Sequence, residues 1–243
     1  MDRYGLRIGS AFLLYLGTCW GGPLPSIAVG TCEPNLQSYS TIQDAVSNVA
    51  AGGTILVCAG AYPEQVLITK PLTMMGVLSG KAAASIITSP KGGLKQSTID
   101  HLGNIWAAQV LVQSTAGPGD ISDLSVDGAN NGIRGGCPGL NVVGIYCPEA
   151  SGVVDRAATR NQTTPCFHDA GIFLESFGPA NRAVTVENSS IRRFDGTGIY
   201  ADSDSTTPTL TLTIASNLVT GEVGMALGNI KGAVKSNIVE RMF

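Results

Sequence analysis

The feature that most restricts the fold of this chain is a spaced repeat in its C-terminal half. Glycine followed by an apolar residue recurs at Gly144-Ile145, Gly171-Ile172, Gly198-Ile199 and Gly224-Met225, at intervals of 27, 27 and 26 residues. A second marker runs through Ser189-Ser190-Ile191, Ser216-Asn217-Leu218 and Ser236-Asn237-Ile238, at intervals of 27 and 20. Two markers drifting at a similar period indicate a repeated structural unit with loops of varying length. Each unit carries apolar residues at alternate positions and no helical periodicity, which describes short strands. A flat sheet has no need of such a period. A solenoid has, because each turn buries its inner face on the next.

Composition supports short strands and tight turns. Glycine is 31 of 243 residues, charged residues are 14% and hydrophobic residues 44%; roughly 25% charged residues is usual in soluble domains. A packed core is available, so general disorder is excluded. The formal charge of −3 and the absence of a basic run argue against a nucleic-acid partner.

The N-terminal half shows one helix followed by strands. Ser40-Thr41-Ile42-Gln43 reads as a capping box, with Ser40 as N-cap and Gln43 reaching back. Ile42, Ala45, Val46, Val49 and Ala50 then mark one apolar face of a helix over about 41–51, stopped by Gly52-Gly53. Alternation returns at Ile55 and Val57, at Val66 and Ile68, and at Leu72 and Met74, with turns at Gly60-Ala61-Tyr62 and Lys70-Pro71. No NG or DG dipeptide of a two-residue hairpin falls between these strands, so the chain turns corners here rather than reversing.

The stretch with Ile42-Gln43-Asp44-Ala45, Gly53-Thr54-Ile55-Leu56-Val57, Gly60-Ala61-Tyr62-Pro63-Glu64-Gln65-Val66 and Lys70-Pro71-Leu72-Thr73 resembles the opening of pectin-lyase-like proteins, including pectin methylesterases and NosD-type proteins. Val184-Thr185-Val186-Glu187-Asn188-Ser189-Ser190-Ile191 with Gly198-Ile199-Tyr200 resembles their later coils. The resemblance implies an all-β chain, a right-handed parallel β-helix over 31–243 whose first rung is covered by the short α-helix. Ile121, Leu124, Val126, Val154, Val186, Ile191, Leu218 and Ile238 are then expected to stack inward, and Ser190, Asn217 and Asn237 to form a polar ladder at a turn. No C-terminal cap is visible. The pattern stops in mid-repeat at Met242-Phe243, which reads as truncation or as pairing through the last rung.

Fold does not fix activity, so the site must be argued from residues. Aligning the coils on Val126, Val154, Ile191 and Leu218 places Asp127 and Asp155 on adjacent rungs, with Arg192 one rung further. Two carboxylates and a cation on one outer face suit acid–base work. The resemblance to pectin methylesterases implies for them a nucleophile, an acid/base and an orienting arginine. A lyase would instead use Ca²⁺ bridging carboxylates. No other cofactor or metal is indicated: CxxC is absent, and the histidines are His101 and His168. The longer motifs of the esterases, polygalacturonases and pectate lyases are also absent. The reading is therefore a binder of polysaccharide or another cell-surface ligand along a solenoid face. The alternatives are a carbohydrate-active enzyme using the acidic column, and a structural or adhesive stalk. Trp106, Tyr146 and Tyr200 are the candidate sugar-stacking residues, and the insertions 134–143 and 156–169 are the candidate groove walls.

Arg3 and Arg7, an apolar run from Ile8 to Trp20, and the small-residue exit Ala28-Val29-Gly30 follow the grammar of a secretory leader over 1–30. No later segment is apolar enough to span a bilayer, so the expected location is secreted, periplasmic or at the cell surface. Removing Cys19 with the leader leaves Cys32, Cys58, Cys137, Cys147 and Cys166. Cys32 with Cys58 is one candidate disulfide. Cys137 with Cys147 is another, in competition with Cys147 to Cys166.

Overall fold

A computed structural model describes residues 25–77, 84–113, 117–134, 139–165, 168–207 and 209–241. The leader's charged and apolar regions, Cys137, Cys166 and Phe167 lie outside the described residues. The chain winds as a right-handed parallel β-helix with three sheets. Sheet A holds nine strands, among them Ser26–Val29, Thr54–Val57, Leu72–Gly76, Gly119–Ser122, Gly152–Asp155, Arg182–Glu187 and Leu210–Ala215. Sheet B includes Gly60–Pro63, Ser125–Asp127, Ala158–Gln162, Ser190–Phe194 and Leu218–Thr220. Sheet C includes Val66–Ile68, Ile105–Val112, Leu140–Pro148, Ala170–Ser176, Thr197–Ser203 and Val223–Leu227. Among the described residues every strand pairing is parallel except that of Thr98–Ile99 with Ile105–Trp106.

The interior is built of columns. Ile55, Met74, Ile121, Val154, Val186 and Ile214 are register partners along sheet A, and all are buried. Burial of one such side chain contributes ~1.5–3 kcal/mol, so the column is a main source of cohesion between coils. In sheet B the inner row is Val126, Thr159, Ile191 and Val219. Thr159 is the successor of Val126, and Val219 takes the place expected of Leu218, which is half-buried. Ile238, also expected in the core, is 58% exposed on the last coil.

The glycine repeat has a steric cause. Gly144, Gly171, Gly198 and Gly224 stand above one another where sheet C approaches sheet B. A Cβ on Gly171 would lie 2.3 Å from Ile191 Cγ2 and 2.7 Å from the carbonyl oxygen of Gly198. A Cβ on Gly198 would lie 2.3 Å from Val219 Cγ1. Only a residue without a side chain fits that column.

From Gly119–Ser122 onward, two-residue corners join sheet A to sheet B. The first residue is left-handed at Asp123, Arg156, Asn188, Ser216 and Ser236. The second carries the polar ladder, formed by Ser189, Asn217 and Asn237 rather than by Ser190. Ser189 N donates to Asn217 Oδ1, and Asn217 N to Asn237 Oδ1, both at 2.9 Å. The ladder satisfies corner amides that strand pairing leaves over.

Helix α1 (Ile42–Asn48) covers the first coil with Ile42, Ala45 and Val46. Its N-cap is Thr41, not Ser40, and Thr41 Oγ1 accepts from Asp44 N at 3.1 Å. Gln43 does not reach back; its side chain bonds the backbone of Leu67. The carboxylate of Glu64 takes the first helical N–H groups, Ile42 and Gln43, each at 2.9 Å. Gly60–Pro63, expected as a turn, is a strand of sheet B paired with Ser85–Thr88. Ser26–Val29, which falls inside the range read as leader, pairs on one side with Thr54–Val57 and on the other with Ser38–Tyr39.

Cys32 and Cys58 form a disulfide. Cys147 is a free, buried thiol, so its expected pairing is not made. It points into the main core from Leu140–Pro148, where burial pushes the thiol up to about 12.

Candidate functional site

The acidic column expected from the coil alignment does not form. Asp127 lies on sheet B, where its register partner on the next coil is Arg160 and the following one Arg192. Asp155 ends a strand of sheet A, between Ser122 and Glu187. The alignment fails because Val126 and Val154 belong to different sheets; the partner of Asp127 lies 33 residues on, not 28. Both carboxylates are engaged by neighbours. Asp127 accepts from Arg160 Nε and Asn161 Nδ2 at 2.8 Å, and from Ala129 N at 3.0 Å. Asp155 contacts Arg156 and accepts from Asn188 Nδ2 at 2.9 Å.

The groove with the richest chemistry lies on the outer face of sheet C. Tyr146, Phe173 and Tyr200 are register partners on successive coils and their rings stack, with centroids 4.4 Å and then 4.7 Å apart. Trp106 packs against Phe173 at 5.0 Å. This second apolar cluster lies outside the solenoid interior. Tyr146 and Phe173 are fully buried, so Tyr146 supports the platform from behind instead of meeting a ligand. Half-buried Tyr200 and the edge of Trp106, 5% exposed, line the groove, which has a volume of about 420 Å³.

A hairpin covers one side of the platform. Asp100 shapes its tip: one carboxylate oxygen accepts from Leu102 N at 3.0 Å and Asn104 N at 2.8 Å. The other accepts from Asn104 Nδ2 at 2.9 Å and the Trp106 indole N–H at 3.0 Å. Burial raises the Asp100 carboxyl, but the indole, amide and backbone donors outweigh it and hold the group below its ordinary value. Beyond the hairpin, Glu175 accepts from the Tyr146 hydroxyl and stands 3.0 Å from His101 Nδ1. Burial pushes the Glu175 carboxyl up, against those two partners. His101 stacks on Phe177, with centroids 3.4 Å apart.

The opposite wall carries exposed His168 and buried Asp169. Asp169 accepts from Val142 N at 2.7 Å and Thr164 N at 2.6 Å, yet burial still raises its carboxyl above the ordinary value. Asn104, Asn141 and Thr197 complete the polar lining. Among the described residues no group of three or more His, Cys, Asp or Glu side chains is placed to hold a metal ion.

Of the residues expected to stack on sugar, the structure thus brings Trp106 and Tyr200 to one groove and sets Tyr146 beneath them. Of the expected walls, 140–143 and 158–162 are strand, and Gly139, Asn141, His168 and Asp169 line the groove. The joint placement of Asp100 and Asp169 was invisible in the sequence, because they lie 69 positions apart and neither falls in a repeat marker.

The sequence matches no protein-family model and no curated protein. Among solved structures, the chain is similar to one described as a "putative glycosyl hydrolase" from Parabacteroides merdae, at 11% identity over 83% of this chain and 88% of that one, with a TM-score of 0.49. It is also similar to a pectin methylesterase from Erwinia chrysanthemi, at 14% identity over 91% of this chain and 68% of that one, TM-score 0.38. A pectin methylesterase from Aspergillus niger gives 14% identity over 90% and 85%, TM-score 0.38.

Proposed function

We propose that this protein is an exported β-helix that binds polysaccharide in the groove on the outer face of sheet C. The observation that carries the reading is the pairing of an aromatic floor, Trp106 and Tyr200, with a hydrogen-bonding rim, Asp100, Asn104, Asn141 and Thr197, in one cleft. A sugar ring offers an apolar C–H face and a rim of hydroxyls, and a cleft of this lining meets both. The buried Tyr146–Phe173 stack fixes the floor, so little ordering cost falls on binding. Export is supported by the leader-like N-terminus and by the Cys32–Cys58 disulfide, which persists in oxidising compartments.

The test is retardation in affinity gels containing neutral and acidic plant or microbial polysaccharides, followed by calorimetry with fragments of those that bind. Tyr200→Ala is expected to weaken binding about 3- to 10-fold, the equivalent of an aromatic contact of ~0.5–1.5 kcal/mol. No retardation by any polymer, or unchanged affinity in Tyr200→Ala, overturns the assignment.

One observation favours an enzyme as the second reading. Asp100 and Asp169 line the same groove and their carboxyls are pushed in opposite directions, the pattern that separates an ionised group from an acid. That reading expects turnover of a bound polymer by the wild type, lost in Asp169→Asn with binding retained. Binding without turnover removes it.

A further inference from the structure

Sheet B carries a second feature, distinct from the groove on sheet C. In a regular strand, consecutive side chains point to opposite faces. Asn161 and Arg193 break that rule, with φ of 61° and 54°. The two left-handed residues occupy equivalent places on adjacent coils, since Arg160 pairs with Arg192 and Gln162 with Phe194 while the residues between them stay out of register. The bulge turns two neighbours outward on each coil: Arg192 and Arg193 are both exposed between buried Ile191 and Phe194. Arg160 and Asn161 repeat the arrangement one coil earlier. The four side chains, with Ser190, surround a concavity of about 330 Å³.

Charge is unevenly answered there. Asp127 engages both Arg160 and Asn161, at 2.8 Å each, which neutralises that coil and pins its two side chains. Arg192 donates through Nε to Ser190 Oγ at 2.7 Å, an uncharged acceptor. Among the described residues neither Arg192 nor Arg193 has a carboxylate within 4.0 Å. On the following coil the register partner of Arg192 is Thr220, which brings no charge. The chain as a whole is acidic, yet this dip gathers two uncompensated guanidinium groups.

We propose that the Arg192–Arg193 dip is an oxyanion site for a doubly charged tetrahedral group: inorganic phosphate or sulfate, or a phosphate monoester on a larger ligand. Two unanswered positive charges match a dianion, whereas a carboxylate answers only one. Guanidinium presents a rigid planar fork suited to tetrahedral oxygens, and Ser190 and Asn161 supply neutral polar groups at its edge. The stacked bulge is the structural device, because without it Arg193 would point into the core.

The experiment is calorimetric titration of the full chain with inorganic phosphate, glucose 6-phosphate and acetate, at fixed ionic strength in chloride. Phosphate is expected to bind at least ten-fold more tightly than acetate. Arg192→Gln/Arg193→Gln is expected to abolish the difference while keeping the circular dichroism and thermal midpoint of the wild type, since both residues are exposed. Arg192→Lys/Arg193→Lys keeps the charge but not the fork, and is expected to bind several-fold more weakly than wild type. Equal affinity for the ester and the free ion assigns the site to a phosphorylated ligand; preference for the free ion assigns it to the inorganic anion. Phosphate binding no tighter than acetate, or unaltered in the glutamine double variant, overturns the site.

Discussion

The indole N–H of Trp106 donates to the carboxylate of Asp100 across 3.0 Å, and this bond ties the covering hairpin to the aromatic floor beneath it. The same carboxylate holds the backbone of Leu102 and Asn104, so one side chain sets both the shape of the tip and the pose of the tryptophan. Asp100→Asn replaces one acceptor oxygen with a donor and removes the charge. Hydrogen bonds to a charged group contribute ~1.5–3 kcal/mol, and a loss of that order is expected in urea denaturation. Polysaccharide affinity should fall with it. A variant that keeps wild-type stability and affinity would show that the hairpin is held by other contacts.

Gly171 faces Ile191 so closely that a methyl group has no room, the gap to Cγ2 being 2.3 Å. Gly171→Ala is expected to destabilise by ~1–3 kcal/mol, the usual range for overpacking. Gly171→Ala combined with Ile191→Ala should cost less than the sum of the two single changes, because removing Cγ2 frees the space that the new methyl group needs. Thermal melts of the single and double variants check the expectation, and equal midpoints for Gly171→Ala and wild type refute it.

The pH dependence of stability has contributions of opposite sign. Glu175 is raised above its ordinary value of 4.5 by burial. A carboxyl raised in the folded state contributes stability below its unfolded value, and that contribution is lost as pH climbs through the folded one. The burial of Asp127 acts in the same direction, but Asn161, Ala129 and Arg160 outweigh it and hold that group below 3.8. Its contribution is present above the ordinary value and lost as pH falls. Glu175→Gln is therefore expected to gain on wild type as pH rises above about 4.5, and Asp127→Asn to flatten the loss of stability in acid. Denaturation midpoints from pH 2.5 to 8 read both slopes; parallel curves for Glu175→Gln and wild type would contradict the first.

Ser26–Val29 is an integral strand of sheet A, with Ile27, Ala28 and Val29 buried and the Pro25 carbonyl accepting from Thr54 N at 3.1 Å. A leader removed after Gly30 would strip this strand. Burial of Ile27 and Val29 alone contributes ~1.5–3 kcal/mol each. On the proposed export, the mature chain is expected to begin at or before Pro25, which intact-mass measurement of the protein recovered from the medium or periplasm determines. Recovery of a folded chain beginning at Thr31 would contradict this.

The winding of the chain was legible in the sequence because it is written in one-dimensional terms. The spacing of Gly144, Gly171, Gly198 and Gly224 records where sheets B and C nearly touch, and the ladder residues Asn217 and Asn237 record where the corner amides need acceptors. The helix face of Ile42, Ala45 and Val46 was readable for the same reason, since burial imposes a period. The register of sheet B was not readable. The residue stacked on Val126 is Thr159, a polar side chain inside the core, so an apolar pattern runs to Val154 on the wrong sheet and carries Asp155 with it. Tertiary structure alone decided that Asp127 serves Arg160, that Asp100 and Asp169 share a cleft, and that Tyr146 lies beneath the floor while Tyr200 meets solvent. Those outcomes depend on loop lengths, which vary freely between coils, and on which outer face another segment covers. Neither leaves a period in the sequence.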